Sequence, residues 1–232
     1  MLDALVHNAG IANDPYHMPV NSQGIAQTFF TNAIAPWYIT GQCIKHQPRL
    51  QRVVSISSLA RALASNNIHI AGNYTQKKTI EHNNHSHPTY SKAYIDSKWC
   101  NVLFHHGLQR YAQRTAKPIR SALCHPGLVF TQMNAACNHQ TSLTLIQQKQ
   151  WAGVAMKLAG KAQLCQKDAL WSALSPIHAL LSRPINQSET VPSGIWQLRG
   201  TPKTIRLRYK HLDTQAHNMW HTFNQRYPGL YE

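Results

Sequence analysis

The chain has 232 residues, 43% of them hydrophobic, with 23 Lys and Arg against 8 Asp and Glu and a formal net charge of +15. That length is enough for one buried core, and that hydrophobic share excludes a chain disordered throughout. The positive charges are scattered, without a basic block of five or more and without a base-reading module, so basic drift in composition is favoured over a nucleic-acid partner.

The first element is Leu2–Gly10, a short apolar strand running into a tight Asn8-Ala9-Gly10 turn. Thr28–Thr40 follows with helical apolar spacing and carries Asn32. Arg52–Ala60 reads as a buried strand that ends on the pair Ser57-Ser58. Residues 66–88 are rich in Asn, His and Lys and read as a polar surface insert. His82, His85 and His87 lie in that insert beside Glu81, but no cysteine joins them, and a solvated loop is favoured over a metal site. Ala93–Gln113 is expected to be a helix, and Ile119–Met133 a third strand that runs into Pro126-Gly127, Val129 and Thr131.

Beyond the third strand, residues 138–175 form a helical pattern with Trp151, Val154, Leu158 and Leu164, and Ala169–Leu181 an apolar helix. Ser193–Leu198, after Pro192, is expected to be the last sheet strand. The tail, 201–232, holds Arg206, Arg208 and Lys210 and then a helix with Met219, Trp220 and Phe223. Docking of that helix on the body is favoured over contact with a membrane surface. Alternating strands and helices predict an α/β fold with a doubly wound parallel sheet. Five cysteines, odd in number and without C-x-x-C, fit buried free thiols in a reducing compartment. No apolar run is long enough to span a bilayer and no basic-then-apolar leader pattern occurs, so the cytoplasm is the default expectation.

Chemistry concentrates at Tyr94 and Lys98. Four residues apart on a helix, they lie on one face, so the ammonium sits beside the phenol. A phenol of pKa about 10 is a poor proton shuttle at neutral pH, and a neighbouring cation brings it down. General acid–base catalysis improves as that value nears the working pH. Any Y-x-x-x-K is common on amphipathic helices, so the pair gains meaning only from its company.

That company is LDALVHNAG, TFFTNAIAPWYIT, RVVSISSLA, YSKAYIDSK and IRSALCHPGLVFTQM, in this order. The series resembles the short-chain dehydrogenase/reductase superfamily, closest to its retinol-dehydrogenase-like and WW-domain-oxidoreductase-like branch. The resemblance covers most of residues 1–135 and continues more weakly to about 223. It implies a Rossmann-like fold, NAD or NADP as cofactor, and an alcohol or carbonyl compound as substrate. Tyr94 would exchange the proton with the substrate oxygen, Lys98 would lower its pKa and bind the nicotinamide ribose, and Ser58 would hydrogen-bond that oxygen. Asn32 would hold a water leading from Lys98 to solvent. Asn8, Ala9 and Gly10 would line the adenosine side of the dinucleotide, and Pro126, Gly127, Val129 and Thr131 would close over the nicotinamide. Residues 138–175 would be the lid that sets substrate shape.

The superfamily's Gly-rich turn, which cradles a pyrophosphate at a helix N-terminus, has no counterpart among the eleven glycines of these residues. The expectation is therefore a single partial domain, residues 1–232, lacking its first three strand–helix units and binding the dinucleotide weakly. Two other functions stay open: a non-enzymatic remnant that associates with a full-length relative, and a basic nucleic-acid-binding protein. The helices carrying Asn32 and Tyr94 show more apolar surface than one sheet layer needs, at Phe29, Phe30, Ile34, Trp37, Trp99, Leu103 and Leu108. Pairing of these faces in a homo-oligomer is expected.

Overall fold

The computed structural model describes residues 1–12, 19–64, 89–127, 169–183, 187–194, 197 and 200–231. Its centre is a five-stranded sheet in the order β1 (Ala4–His7), β2 (Arg52–Ile56), β3 (Arg120–Cys124), β4 (Ser188–Pro192), β5 (Pro202–Arg206). The first four strands are parallel and β5 is antiparallel to β4. Strand and helix alternate because parallel neighbours need a crossover, and the crossovers lie on the faces of the sheet. This is a Rossmann-like α/β fold, as the alternating pattern predicts.

Period-2 alternation decides which side chain meets which layer. Leu5, Val53 and Leu123 face a large core shared with α1 (Gln27–Phe29), α2 (Ala35–His46), α3 (Thr89–Arg114) and the C-terminal helix. Val54, Ala122 and Cys124 face the other way, against Ala179 of α4 (Ala169–Leu181). β1 is the outer strand of the described sheet, and its Val6 is 38% exposed where the partner Val54 is fully buried.

α5 (Leu212–Arg226) lies on the larger core, with Met219 and Phe223 buried. Trp37 sits in the middle of this packing, its ring 5.5 Å from Phe223, 6.2 Å from Trp220 and 4.9 Å from Tyr231. Tyr231 donates its hydroxyl hydrogen to the Trp37 carbonyl at 2.7 Å. The tail helix therefore docks on the body.

Two expectations need correction. The last strand of the described sheet is β5, Pro202–Arg206, preceded by β4, Ser188–Pro192. The strand expected at Ser193–Leu198 does not begin there, since Ser193 and Gly194 form a bend and Ser193 N–H bonds the Thr201 carbonyl; residues 195, 196 and 198 lie outside the described residues. The apolar surplus on the Asn32 and Tyr94 helices is consumed inside the chain. Phe29, Ile34, Trp37, Trp99, Leu103 and Leu108 are all buried in the core that α5 closes, and Phe30 is half-buried against it. Those faces do not supply the free surface on which pairing was expected. The 66–88 insert lies outside the described residues, as does the 138–175 region up to residue 168; its remainder begins α4. Among the described residues, no helix is long and apolar enough to cross a membrane.

Candidate functional site

The site is assembled where β1, β2 and β3 end. The helical run from Gln27 is interrupted by a π-helical turn, Phe30–Ile34, and Asn32 lies in it, buried. One extra residue in a turn shifts a side chain out of the regular helical array, and such turns mark functional places. Asn32 uses the shift to grip the loop after β1. Its Oδ1 accepts from Ile11 N–H at 2.8 Å, and its Nδ2 donates to the Ile11 carbonyl at 2.8 Å and to Ser97 Oγ at 3.2 Å. Gly10 is drawn against the same spot: a β-carbon there would stand 3.5 Å from Asn32 Oδ1 and 3.6 Å from Lys98 Nζ. Asn32, Gly10 and Lys98 thus converge, though they are far apart in the chain. Asn8 N–H closes the turn on the Val6 carbonyl at 3.0 Å.

Lys98 reaches across to the end of β2, where its ammonium donates to the Ile56 carbonyl at 3.0 Å; Asn101 donates to the same oxygen at 3.0 Å. The ammonium also stands 5.7 Å from the centroid of the Tyr94 ring, within cation–π range. Burial disfavours the charged form and lowers the Lys98 pKa to about 8. The helix register that the sequence predicts is therefore real: Tyr94 and Lys98 share one face of α3.

The two serines after β2 divide their duties. Ser57 is buried and ties β2 to its neighbours, with its N–H on the Cys124 carbonyl at 2.8 Å and its hydroxyl donating to the Lys98 carbonyl at 3.1 Å. Ser58 turns outward, and its Oγ accepts from Ala60 N–H at 3.2 Å to cap the 3₁₀ turn Leu59–Leu63. Pro126 and Gly127 follow β3. Gly127 has φ 85°, a left-handed value that disfavours other residues, and its N–H donates to His125 Nδ1 at 3.1 Å. Since that nitrogen accepts, the proton of His125 sits on Nε2, which donates to Gln197 Oε1 at 2.9 Å. Val129 and Thr131 lie outside the described residues.

Two residues here escaped the sequence reading. Arg61 donates to the Ser58 carbonyl at 2.8 Å and forms an ion pair with Glu189 of β4; the two side chains are 6% and 0% exposed. Burial pushes the Glu189 carboxyl up to about 7, against the opposing pull of Arg61. A buried charge is rarely kept without a partner, and this pair fastens the Ser58 segment to the fourth strand. Arg61 has a weak signal, an Arg three residues past a serine pair at a strand end. Glu189 has none, since nothing local marks a carboxylate 128 residues away.

No family model matches the chain. A stretch of 135 residues is 30% identical to the chloroplastic short-chain dehydrogenases TIC 32 A and TIC 32 B of Brassica napus. The matched stretch covers 57% of this chain and 40% of each relative, so the chain spans less than half the length of the curated relatives it matches. The crystal structure of an uncharacterised protein from Mycobacterium Paratuberculosis superposes with a TM-score of 0.58 at 21% identity, over 96% of this chain and 66% of that one. It shares the fold. The sequence similarity is to short-chain dehydrogenases.

Proposed function

We propose that the chain carries the catalytic half of an NAD(P)-dependent oxidoreductase of the short-chain dehydrogenase kind, acting on an alcohol or carbonyl group. The observation that carries this reading is the Lys98 ammonium, held by the Ile56 carbonyl at the end of β2 and over the Tyr94 ring at 5.7 Å from its centroid. Tyr94 is the proton donor to a carbonyl oxygen, or the acceptor from an alcohol. The positive charge above it favours the phenolate form, the one that takes the proton from an alcohol. Ser58 Oγ accepts from Ala60 N–H and keeps its own hydrogen to donate to the substrate oxygen. Asn32 has spent both amide hydrogens on Ile11 and Ser97 and one Oδ1 lone pair on Ile11 N–H. The second lone pair can hold a water next to Lys98.

The residues present fit one end of a nicotinamide dinucleotide. Gly10 leaves the approach to Lys98 Nζ clear of a side chain, so the ammonium can meet a ribose hydroxyl. Asn8 and Ala9 would flank the adenosine side, and Pro126, Gly127, Val129 and Thr131 the nicotinamide. When bound, the dinucleotide supplies or takes the hydride. Its pyrophosphate has no Gly-rich cradle among these 232 residues, so the chain by itself should bind the dinucleotide weakly. The choice between NAD and NADP would be made at the adenosine ribose, by a residue about 20 positions past such a cradle. Residues 138–168, with the start of α4, would form the lid over the substrate.

The test is reduction of a panel of aldehydes and ketones, followed by NADPH and NADH consumption. It is run on the chain alone and on the chain preceded by a Gly-rich strand–turn–helix segment from a relative. Turnover should be faint in the first and raised in the second, and Tyr94→Phe should abolish it. Turnover should also fall as pH rises through about 8, where Lys98 loses its proton. Turnover in the fused chain that survives Tyr94→Phe, or no turnover in either form, would refute the assignment.

A further inference from the structure

A second concavity lies at the opposite end of the sheet from Ser58 and Lys98, where β3 and β4 begin. It has a volume of about 730 Å³, and Lys117, Arg120 and Arg183 stand around it with Gln109, Gln113 and Ser121. Among the described residues no carboxylate lines it. The four described carboxylates are engaged elsewhere: Asp3 with Arg49, Asp96 with Lys92, Glu189 with Arg61, and Asp213 with Arg110.

The crowding of positive charge begins in the register of the sheet. Arg52 and Arg120 are partners on adjacent parallel strands, which sets like charges side by side and costs stability. Arg52 answers with the end of α4, donating to the carbonyls of Ala179, at 3.1 Å, and Ser182. Those oxygens carry the negative end of the helix dipole. Burial and then the Arg120 charge hold the Arg52 pKa below its usual range. Arg120 is exposed and lines the cleft, and among the described residues no carboxylate pairs with it.

The floor is built rather than incidental. Gln109 is only 9% exposed, and its Oε1 accepts from Gln187 N–H at 3.2 Å. That bond fixes the orientation of the amide and leaves Nε2 as the donor for a guest. Ser121 is 1% exposed and held by His105 Nδ1 at 3.0 Å. Lys117 is steadied against the Tyr111 ring, 5.8 Å from its centroid. Two guanidinium groups, an ammonium and an amide N–H lining one cleft are the donor types that hold the oxygens of a phosphate. A cleft lined by one sign of charge also concentrates its field on whatever enters.

We infer that this cleft binds a phosphate-bearing small molecule, with Arg120, Arg183 and Lys117 holding the oxyanion over the Gln109 amide. The ligand class is a diphosphate group, either free or as the diphosphate of a nucleotide.

The inference is independent of the oxidoreductase reading, and so is its test. Inorganic pyrophosphate is titrated into the full chain by calorimetry at about 50 mM salt, where exposed charges are only moderately screened. Saturable binding is expected, with Arg120→Gln and Arg183→Gln each weakening it about tenfold, a loss of about 1.4 kcal/mol. Lys203→Gln removes an exposed cation at the other end of the sheet and should change affinity less than about twofold, since its charge is far from the guest. Gln109→Leu, a second floor variant, should also weaken binding while thermal melting confirms that each variant is folded. Adenosine diphosphate that binds more tightly than pyrophosphate identifies a nucleotide as the guest; equal or weaker binding identifies the free diphosphate. Absence of saturable binding by either, or an equal loss in Lys203→Gln and Arg120→Gln, overturns the inference, the latter because it would show attraction to the whole surface.

Discussion

Mild acid should destabilise this protein sharply, and the reason is three histidines held neutral in the fold, two fully buried and His7 half-buried. His7 meets Thr40 Oγ1 at 2.7 Å and turns its ring edge to Phe104. His105 and His125 are fully buried, the first against Ser121 and the second with both ring nitrogens used. Burial pushes His7 and His125 down to about 4 and His105 to about 3. In the unfolded chain each would titrate near 6.5. A depressed folded value means the stabilisation is complete above that pH and is lost as pH falls toward 4. From pH 7 to pH 5 each histidine therefore withdraws about 2 kcal/mol, roughly 6 in all. Glu189 acts the other way. Its folded value is raised, so protonation on the way down returns about 2 kcal/mol. A net loss of about 3–4 kcal/mol remains, against a typical stability of about 5–15 kcal/mol. Urea unfolding followed by tryptophan fluorescence at pH 7, 6 and 5 measures it. His105→Met removes one titrating group and should flatten the slope by about 1 kcal/mol per pH unit between pH 7 and 5, whatever its effect at pH 7. A wild-type chain equally stable at pH 7 and 5, or a His105→Met slope identical to wild type, would show the reasoning to be wrong.

Two further outcomes follow from the packing around the site. Arg61→Met strands the buried Glu189 carboxylate and should cost about 3–5 kcal/mol in urea unfolding, while Arg61→Met with Glu189→Leu should recover most of it; additive losses in the double variant would contradict a coupled pair. Gly107→Ala would set a β-carbon 2.5 and 2.8 Å from ring atoms of Trp220. Phe104, Tyr111, Trp37 and Tyr231 hem that ring in, so it cannot swing aside. The overpacking cost of about 1–3 kcal/mol should exceed the helical gain of about 1 kcal/mol, and an unchanged or higher melting temperature would refute the claim that α5 is locked onto α3.

The sequence by itself determined the order and kind of the elements that carry the chemistry. Arg52–Ile56 and Arg120–Cys124 are five-residue strands marked by the short apolar runs Val53-Val54 and Ala122-Leu123-Cys124, and Tyr94 and Lys98 share a helical face for any sequence that keeps a 3.6-residue period. Both signals are local, which is why they can be read without a structure. The π-helical turn at Asn32 was illegible, because it is held by Ile11 and Ser97 across the site and not by its own neighbours. The strand at Ser188–Pro192 was missed for a related reason: it is a largely polar run that becomes a buried strand only because β3, β5 and Arg61 receive it. The surplus of apolar surface on α2 and α3 was visible, but only the tertiary structure decided that α5 covers it. Packing partners distant in the chain, and the counter-charge a buried group requires, are properties of the folded arrangement; local periodicity carries no record of them.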